Sequence, residues 1–313
     1  MEATDTGTDL SSRGTAVKTP IKVLLQTTIE RTDNDWHIGR FSLLHDYLAS
    51  LSATDGTRLL RVTARDRDPI SAPDSVLASL DESDYDELWL FAVDVGDGLH
   101  EEDRAGIQRF HARGGGLMVT RDHMDLGCSI CALGDVGAAH VFHTHNLDAN
   151  NHTGTSIPEP DDRGTPQILW PNFHSGANGD VQRVTAELPL HPVMRNPESE
   201  SGTVTHLPSH PHEGAVIVPA SSARARVIAT GKSLASGQRF NIAVAFERCE
   251  SMGPAIAQST FHHFADYNWD PRRGSPDFVT EKPAYVLPGD RRAMASVHRY
   301  VRNVALWLAG LDA

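Results

Sequence analysis

The chain reads as an α/β fold: a mostly parallel central sheet covered by helices. Three observations predict it. Short apolar runs alternate with helix-patterned segments through the N-terminal part of the chain, the signature of a parallel sheet built from crossover units. The triplet Gly114-Gly115-Gly116 stands where a helix pattern stops and an apolar run begins, as glycine does beyond a helix C-terminus. The chain also closes on a long amphipathic segment suited to covering a sheet.

The elements follow in order. Ile21 to Thr27 is a buried strand, followed by a polar loop from Thr28 to His37. Phe41, Leu44, Leu48 and Leu51 recur at helical spacing. Arg58 to Thr63 is a second strand, and Ser75 to Leu80, after Pro73, a short helix. Glu87 to Val93 is a third strand around Leu88-Trp89-Leu90-Phe91. Glu101 to Arg113 is helical, with Ile107 and Phe110 on one face. Leu117 to Thr120 is a fourth strand, and it delivers Arg121, Asp122 and His123 to its carboxyl end, where open α/β sheets bind ligands. The pattern then lapses. From about Asn146 to Glu187 the chain is rich in Asn, Asp, Gly, Pro and His, too long for a simple loop, and reads as a loop-rich insertion near the site. Beyond it, Ala215 to Pro219, Arg226 to Thr230 and Arg239 to Phe246 are expected to extend the sheet in antiparallel or mixed fashion. Ala255 to Thr260 is a last strand, and Arg291 to Leu311 a helix striped by Met294, Val297, Val301, Val304 and Leu308.

The 313 residues suffice for a sizeable core and are read as one domain over 21–313, after a polar, disordered tail over 1–20 with no apolar signal core. Net charge is -13 with only four lysines, so the surface repels nucleic acid and anionic membranes. No apolar run approaches the roughly 18 residues of a membrane span. Three cysteines make no disulfide framework and suit a reducing compartment, so a cytoplasmic location is expected. A homo-oligomer is compatible with the chain, although no segment marks an interface.

Three features together resemble the ThuA-like branch of the class I glutamine amidotransferase-like superfamily, over roughly residues 21–270. They are the strand Glu87 to Val93 with its helix and glycine triplet, His123 just past the next strand, and Ala257-Gln258-Ser259-Thr260-Phe261-His262-His263-Phe264, a strand ending in paired histidines. The resemblance implies a flavodoxin-like three-layer sandwich and, by analogy, a carbohydrate-derived ligand. True amidotransferases carry a nucleophilic cysteine at a strand-to-helix elbow and a late His-Pro-x-Glu. Here the elbow reads Thr120-Arg121-Asp122-His123, and neither His262 nor His263 is followed by Pro-x-Glu. A glutaminase triad is therefore not expected. His210-Pro211-His212-Glu213 has the right letters but comes too early in the strand order.

The 17 histidines cluster, and His123, His262 and His263 are expected at one edge of the sheet. They are the candidate acid–base residues, and equally the candidate ligands of a divalent metal such as zinc, which needs three such donors and an open position. Asp122 would orient a histidine, and Arg121 would hold an anionic group or stabilise developing charge. Cys128 and Cys131 with His140 and His143 superficially match a zinc pattern, but a pair of buried, inert thiols fits them better. The stretch Asn172-Phe173-His174-Ser175-Gly176-Ala177-Asn178-Gly179-Asp180 offers Asn172, His174, Ser175, Asn178 and Asp180 as readers of ligand hydroxyls, or is an ordinary Asn-Gly turn. Trp36 and His37, after the first strand, would line the same crevice, with Trp36 stacking on a ring or packing beneath the loop. No phosphate loop or Gly-x-Ser-x-Gly elbow is present.

The expectation is an enzyme acting on a small polar, carbohydrate-like metabolite by histidine acid–base chemistry. A metal-dependent hydrolase and a non-catalytic small-molecule binding module are its rivals.

Overall fold

The computed structural model describes residues 20–147, 165 and 167–311. The expected tail over 1–20 falls almost wholly outside the described residues, as does the 148–164 stretch of the expected insertion.

Strand β1 (Ile21–Glu30) leads through α1 (Ser42–Ser50) to β2 (Leu60–Arg67), and β3 (Glu87–Phe91) through α2 (Glu101–Ala112) to β4 (Gly116–Thr120). There follow α3 (Gly134–Ala138), β5 (His140–Val141), β6 (Val181–Arg183), β7 (Thr185–Ala186), β8 (His206–Pro208) and β9 (Ala215–Val216). The chain closes with β10 (Ala225–Lys232), β11 (Arg239–Phe246), β12 (Ala255–Gln258), the short α4 (Asp266–Trp269) and α5 (Arg291–Leu308). Eight strands form the main sheet in the order β2-β1-β3-β4-β12-β11-β10-β7. The first five are mutually parallel and the last three join antiparallel.

The central parallel strands β3 and β4 are buried along their whole length because both faces are covered, whereas the edge strand β2 is largely polar. Along β3, Trp89 and Phe91 point into the core shared with α1 and α5, while Leu88 and Leu90 point into the core shared with α2 and α3. Met118 and Ile256 join the first core; Leu117, Val119 and Ala257 join the second. This is the three-layer, flavodoxin-like α/β sandwich expected. Gly114, just past α2, has φ +104°, a conformation that suits glycine and lets the chain turn sharply into β4.

Three local expectations are corrected. Ser75 to Leu80 is not a helix. The Asp74 carboxylate accepts the Val76 and Leu77 amides, and the Ala78 carbonyl is taken by the Arg109 guanidinium, so the segment stops after one turn and a 3₁₀ turn follows. Ala215 to Pro219 does not extend the main sheet; Ala215 and Val216 pair with β5 instead. Ile217 donates to the Ala139 carbonyl and Pro219 has no amide to offer, so the ladder ends there. Nor does the last strand reach its histidines. β12 ends at Gln258, and the Thr260 hydroxyl caps a 3₁₀ turn over Phe261–His263.

Helix α5 starts where the Asp290 carboxylate accepts the Arg292 and Ala293 amides. It also packs on His191, whose buried ring meets Trp307 edge-on at 4.7 Å. The Nδ1 of His191 accepts the Val193 amide. Burial, then Arg226 and Arg195, lower its pKa to about 3, although Glu247 stands 3.3 Å from its Nε2. The folded pKa lies below the unfolded one. The unfolded chain therefore takes up the proton first as pH falls, and stability drains between about pH 6.5 and 3. From pH 7 to 5 the parent chain is expected to lose about 2 kcal/mol more than His191→Gln in urea unfolding. Equal losses would show that His191 is not held neutral.

Candidate functional site

Strand order reverses direction between β1 and β3, the switch point at which this architecture opens a crevice. A cavity of about 400 Å³ lies there. Asp35 and Trp36 reach it from beyond β1, Val93 and Val95 from beyond β3, and Asp122, His123 and Leu126 from beyond β4. Phe261 and His262 come from the turn after β12. Asn178, His210 and His212 close one side, and Phe278, Val279 and Glu281 another.

The centre of the cluster is the buried carboxylate of Asp122. Its Oδ1 accepts the His123 amide at 2.8 Å and lies 3.2 Å from His123 Nδ1. It lies 3.7 Å from His210 Nε2 and 4.0 Å from His262 Nε2. The rings of His210 and His262 stack, with centroids 3.5 Å apart and planes at 11°.

A chain of hydrogen bonds sets the tautomers of both rings. The Ser209 carbonyl can only accept, so the Asn268 group 2.8 Å from it is the amide nitrogen. The opposite atom, Asn268 Oδ1, then accepts from His262 Nδ1 at 2.9 Å. Asn268 Nδ2 also donates to Asn178 Oδ1 at 2.7 Å, and that same oxygen accepts from His210 Nδ1 at 2.9 Å. Both histidines therefore carry hydrogen on Nδ1, and both turn a bare Nε2 toward Asp122. Among the described residues, His210 Nε2 has no hydrogen-bond partner. His212 repeats the arrangement: Asn172 Nδ2 donates to the Ile168 carbonyl, and Asn172 Oδ1 accepts from His212 Nδ1 at 3.0 Å. The Nε2 of His212 lies 3.2 Å from Glu281.

Electrostatics agree with the geometry. Burial alone would raise the pKa of Asp122, but His123, by charge and hydrogen bond, and His262, by charge, bring it down to about 2. Burial lowers His262 to about 4 despite Asp122 and Asn268. Burial lowers His210 well below the usual range, and the neighbouring histidines push the same way.

The donor set suits a divalent cation. Asp122, His123 and His210 each offer a ligand atom, and these atoms lie within 4.8 Å of one another. Tetrahedral ligands about 2.1 Å from an ion stand about 3.4 Å apart, close to the spacings around Asp122 Oδ1. Histidine ligands ordinarily donate their second ring N–H to an oxygen that orients them, the part Asn178 and Asn268 fill here.

No family model matches the sequence, and no curated protein matches it. Solved structures do. A protein described as ThuA-like from Parabacteroides merdae ATCC 43184 matches with a TM-score of 0.50 at 14% identity, over 94% of this chain and 92% of that one. The mmIFT52 N-terminal domain matches with a TM-score of 0.53 at 10% identity, over 93% of this chain and 99% of that one. A second protein described as ThuA-like, from Bacteroides uniformis ATCC 8492, has a TM-score of 0.44 at 14% identity over 95% of each chain. The fold is the ThuA-like one. At these identities the likeness extends to the fold alone.

Within that fold, the expected site residues divide. Asp122, His123, His262, Trp36 and Asn178 line the cavity. Trp36 is buried, edge-on to Phe261 and His262, and so forms wall rather than a free stacking surface. His263 is corrected: it points into the interior, with Nε2 3.4 Å from Glu213 and Nδ1 2.7 Å from Gln258. Successive side chains of a tight turn diverge, so only one of the paired histidines can face the cavity. Arg121 is corrected as well. Its guanidinium is fully buried over the Phe142 ring and donates to the carbonyls of Asp122, Val141, Met124 and Ala215. Burial lowers its pKa to about 9, and nothing of it reaches the cavity. Gly214 makes room for it, since a Cβ there would lie 2.3 Å from Arg121 Nε.

His37 caps the following 3₁₀ turn through the Gly39 amide. Asn172 holds His212, Ser175 donates to Glu213, Asp180 accepts the Val181 amide, and His174 lies against the Pro211 carbonyl. These five are therefore scaffold rather than cavity wall. Burial raises the Cys128 thiol to about 11 and Cys131 to about 12, and among the described residues neither joins a metal-ligand group. His210, His212, Asn268 and Glu281 had no place among the expected site residues. Their available signal was His210-x-His212, whose spacing of two puts both rings on one face of an extended segment.

Arg121→Met strips several buried carbonyls of their donor. It is expected to cost about 3 kcal/mol or more in denaturant unfolding. A variant of unchanged stability that has lost only ligand binding would return Arg121 to the site.

Proposed function

We propose that this chain is a divalent-metal-dependent hydrolase acting on a small molecule held in the cavity. The observation that carries the reading is the convergence of two Nε2 lone pairs, from His210 and His262, on the Asp122 carboxylate, with each ring anchored through Nδ1. Lone pairs that face a carboxylate across less than about 4 Å call for an electron-deficient partner between them. His123 supplies a further donor from the cavity side. The ligands border an open cavity rather than a closed shell, the property that separates catalytic from structural metal sites.

A divalent cation in this position supplies Lewis acidity and makes water a competent nucleophile at neutral pH. Hydrolysis adds the oxygen of water to the electrophilic carbon of the substrate, and the proton released leaves with the departing group. The chain's own part is to hold the donors rigid. Asn178 and Asn268 fix the ring planes, and Trp36 and Phe261 back His262. Acid–base chemistry without a metal is the less supported reading, because burial lowers the pKa of His262 to about 4 and that of His210 well below the usual range, away from the near-neutral value that suits a general base.

Protein purified without a histidine tag is expected to carry, or take up in a calorimetric zinc titration, about one ion per chain. His210→Ala and His262→Ala should weaken uptake by roughly 100-fold or more, and Asn268→Ala by roughly 10- to 100-fold. His263→Ala should leave metal affinity unchanged. No uptake by the parent chain, with a melting temperature indifferent to chelator, would end the proposal.

A further inference from the structure

We infer that the substrate is an uncharged or cationic molecule with an apolar body, which presents one hydrolysable polar group to the Asp122 cluster. The inference rests on the metal-site reading only for where that polar group goes. The remainder comes from the rest of the cavity.

Beside the cluster the lining is apolar. Trp36 and Phe261, which pack on His262, are joined by Val93 and Leu126. At the mouth, Val95 is 76% exposed and Phe278 58% exposed. Two large apolar side chains left in water at the rim of one cavity mark a surface that a ligand covers.

Few polar side chains are left to read sugar hydroxyls. Asn178 serves His210 and Asn268, and Asn172 and Ser175 stand off the cavity wall, holding His212 and Glu213, which leaves Asp35, His123 and Glu281 among the lining groups. Against the carbohydrate-derived ligand that the family resemblance implies, a polyol here would give up its hydrogen bonds to water and find few replacements.

Charge restricts the substrate further. Among the described residues, the cavity is lined by the carboxylates of Asp35, Asp122 and Glu281 and by no lysine or arginine. Arg121, the nearest guanidinium in sequence, is spent on backbone carbonyls. Away from the proposed cation, a phosphate or carboxylate on the body of the substrate would meet no lysine or arginine among the lining residues and the like charges of Asp35 and Glu281.

The test uses hydroxamates on the full zinc-loaded chain in a calorimeter, after the zinc titration itself. Benzohydroxamate is expected to bind roughly tenfold or more tightly than gluconohydroxamate, as burial of an apolar ring dictates. 4-Carboxybenzohydroxamate should be weaker than the parent, and 4-aminomethylbenzohydroxamate at least as tight. Val95→Ser with Phe278→Ser, both at exposed positions, should shrink the preference for the phenyl body. Glu281→Gln should shrink the discrimination against the carboxylate. A polyol probe that binds as well as the phenyl one, or a carboxylate probe that binds better than its parent, would overturn the inference. Should zinc fail to bind, the metal reading falls separately. The same order is then expected of benzamide, gluconamide and 4-carboxybenzamide, and its reversal, or no binding by any of the three, overturns the substrate class as well.

Discussion

One backbone carbonyl, that of Ser209, orders two of the site's histidines. It accepts from Asn268, which leaves Asn268 one way to face His262 and one way to face Asn178, and Asn178 in turn one way to face His210. Each link is a neutral hydrogen bond worth only about 1 kcal/mol net. Their effect is geometric: with side-chain carbonyls taking both Nδ1 hydrogens, the Nε2 atoms are left bare, 3.7 and 4.0 Å from Asp122. The two asparagines lie about 90 residues apart, so the arrangement exists only when the turn after β12 has closed on the 172–180 segment.

Beneath this layer lies a second polar network that never reaches the cavity. Glu213 accepts from Ser175, Gln182 and Ser259, and sits beside His263. Gln258 links His263 to the Tyr300 hydroxyl on α5. Arg121 does similar work for the 121–126 loop by gathering carbonyls from three separate segments. Groups with catalytic letters thus serve as interior fasteners. A buried carboxylate with this many donors is stable where it stands, and breaking the set would cost more than any single bond suggests.

Such fasteners explain which parts of the site could be read from sequence. His123 and Asp122 were legible because their position follows from topology: a residue just past a central parallel strand emerges at the crevice. The sheet was legible for a related reason, since Val23 to Leu25 in β1, Leu88 to Phe91 in β3 and Leu117 to Val119 in β4 are short apolar runs of the kind a doubly covered strand carries. His262 and His263 were not separable. They are adjacent on a 3₁₀ turn, and which one faces the cavity depends on how Thr260 caps that turn. His210 and His212 were legible as letters but were weighed against an amidotransferase order that this chain does not follow. The asparagines were least legible of all. Asn is common in turns for local reasons, and nothing in one dimension says that three of them each anchor a histidine.

The site differs from the ion pairs elsewhere in the interior. Arg65 there meets Asp74 as an opposite charge 2.7 Å away. Around Asp122, two ring nitrogens that carry no hydrogen stand 3.7 and 4.0 Å from a carboxylate that already accepts the His123 amide. Local conflict of this kind raises the energy of the folded chain and persists in proteins chiefly where an occupant relieves it. The relief returns as stability by mass action, in proportion to the logarithm of occupant concentration over its dissociation constant. An occupant that satisfied only one of the lone pairs would relieve only part of the conflict. One positive centre among Asp122, His123 and His210, whose ligand atoms lie within 4.8 Å of one another, would relieve the conflict at all three, so the geometry that makes the site costly when bare also favours a cation.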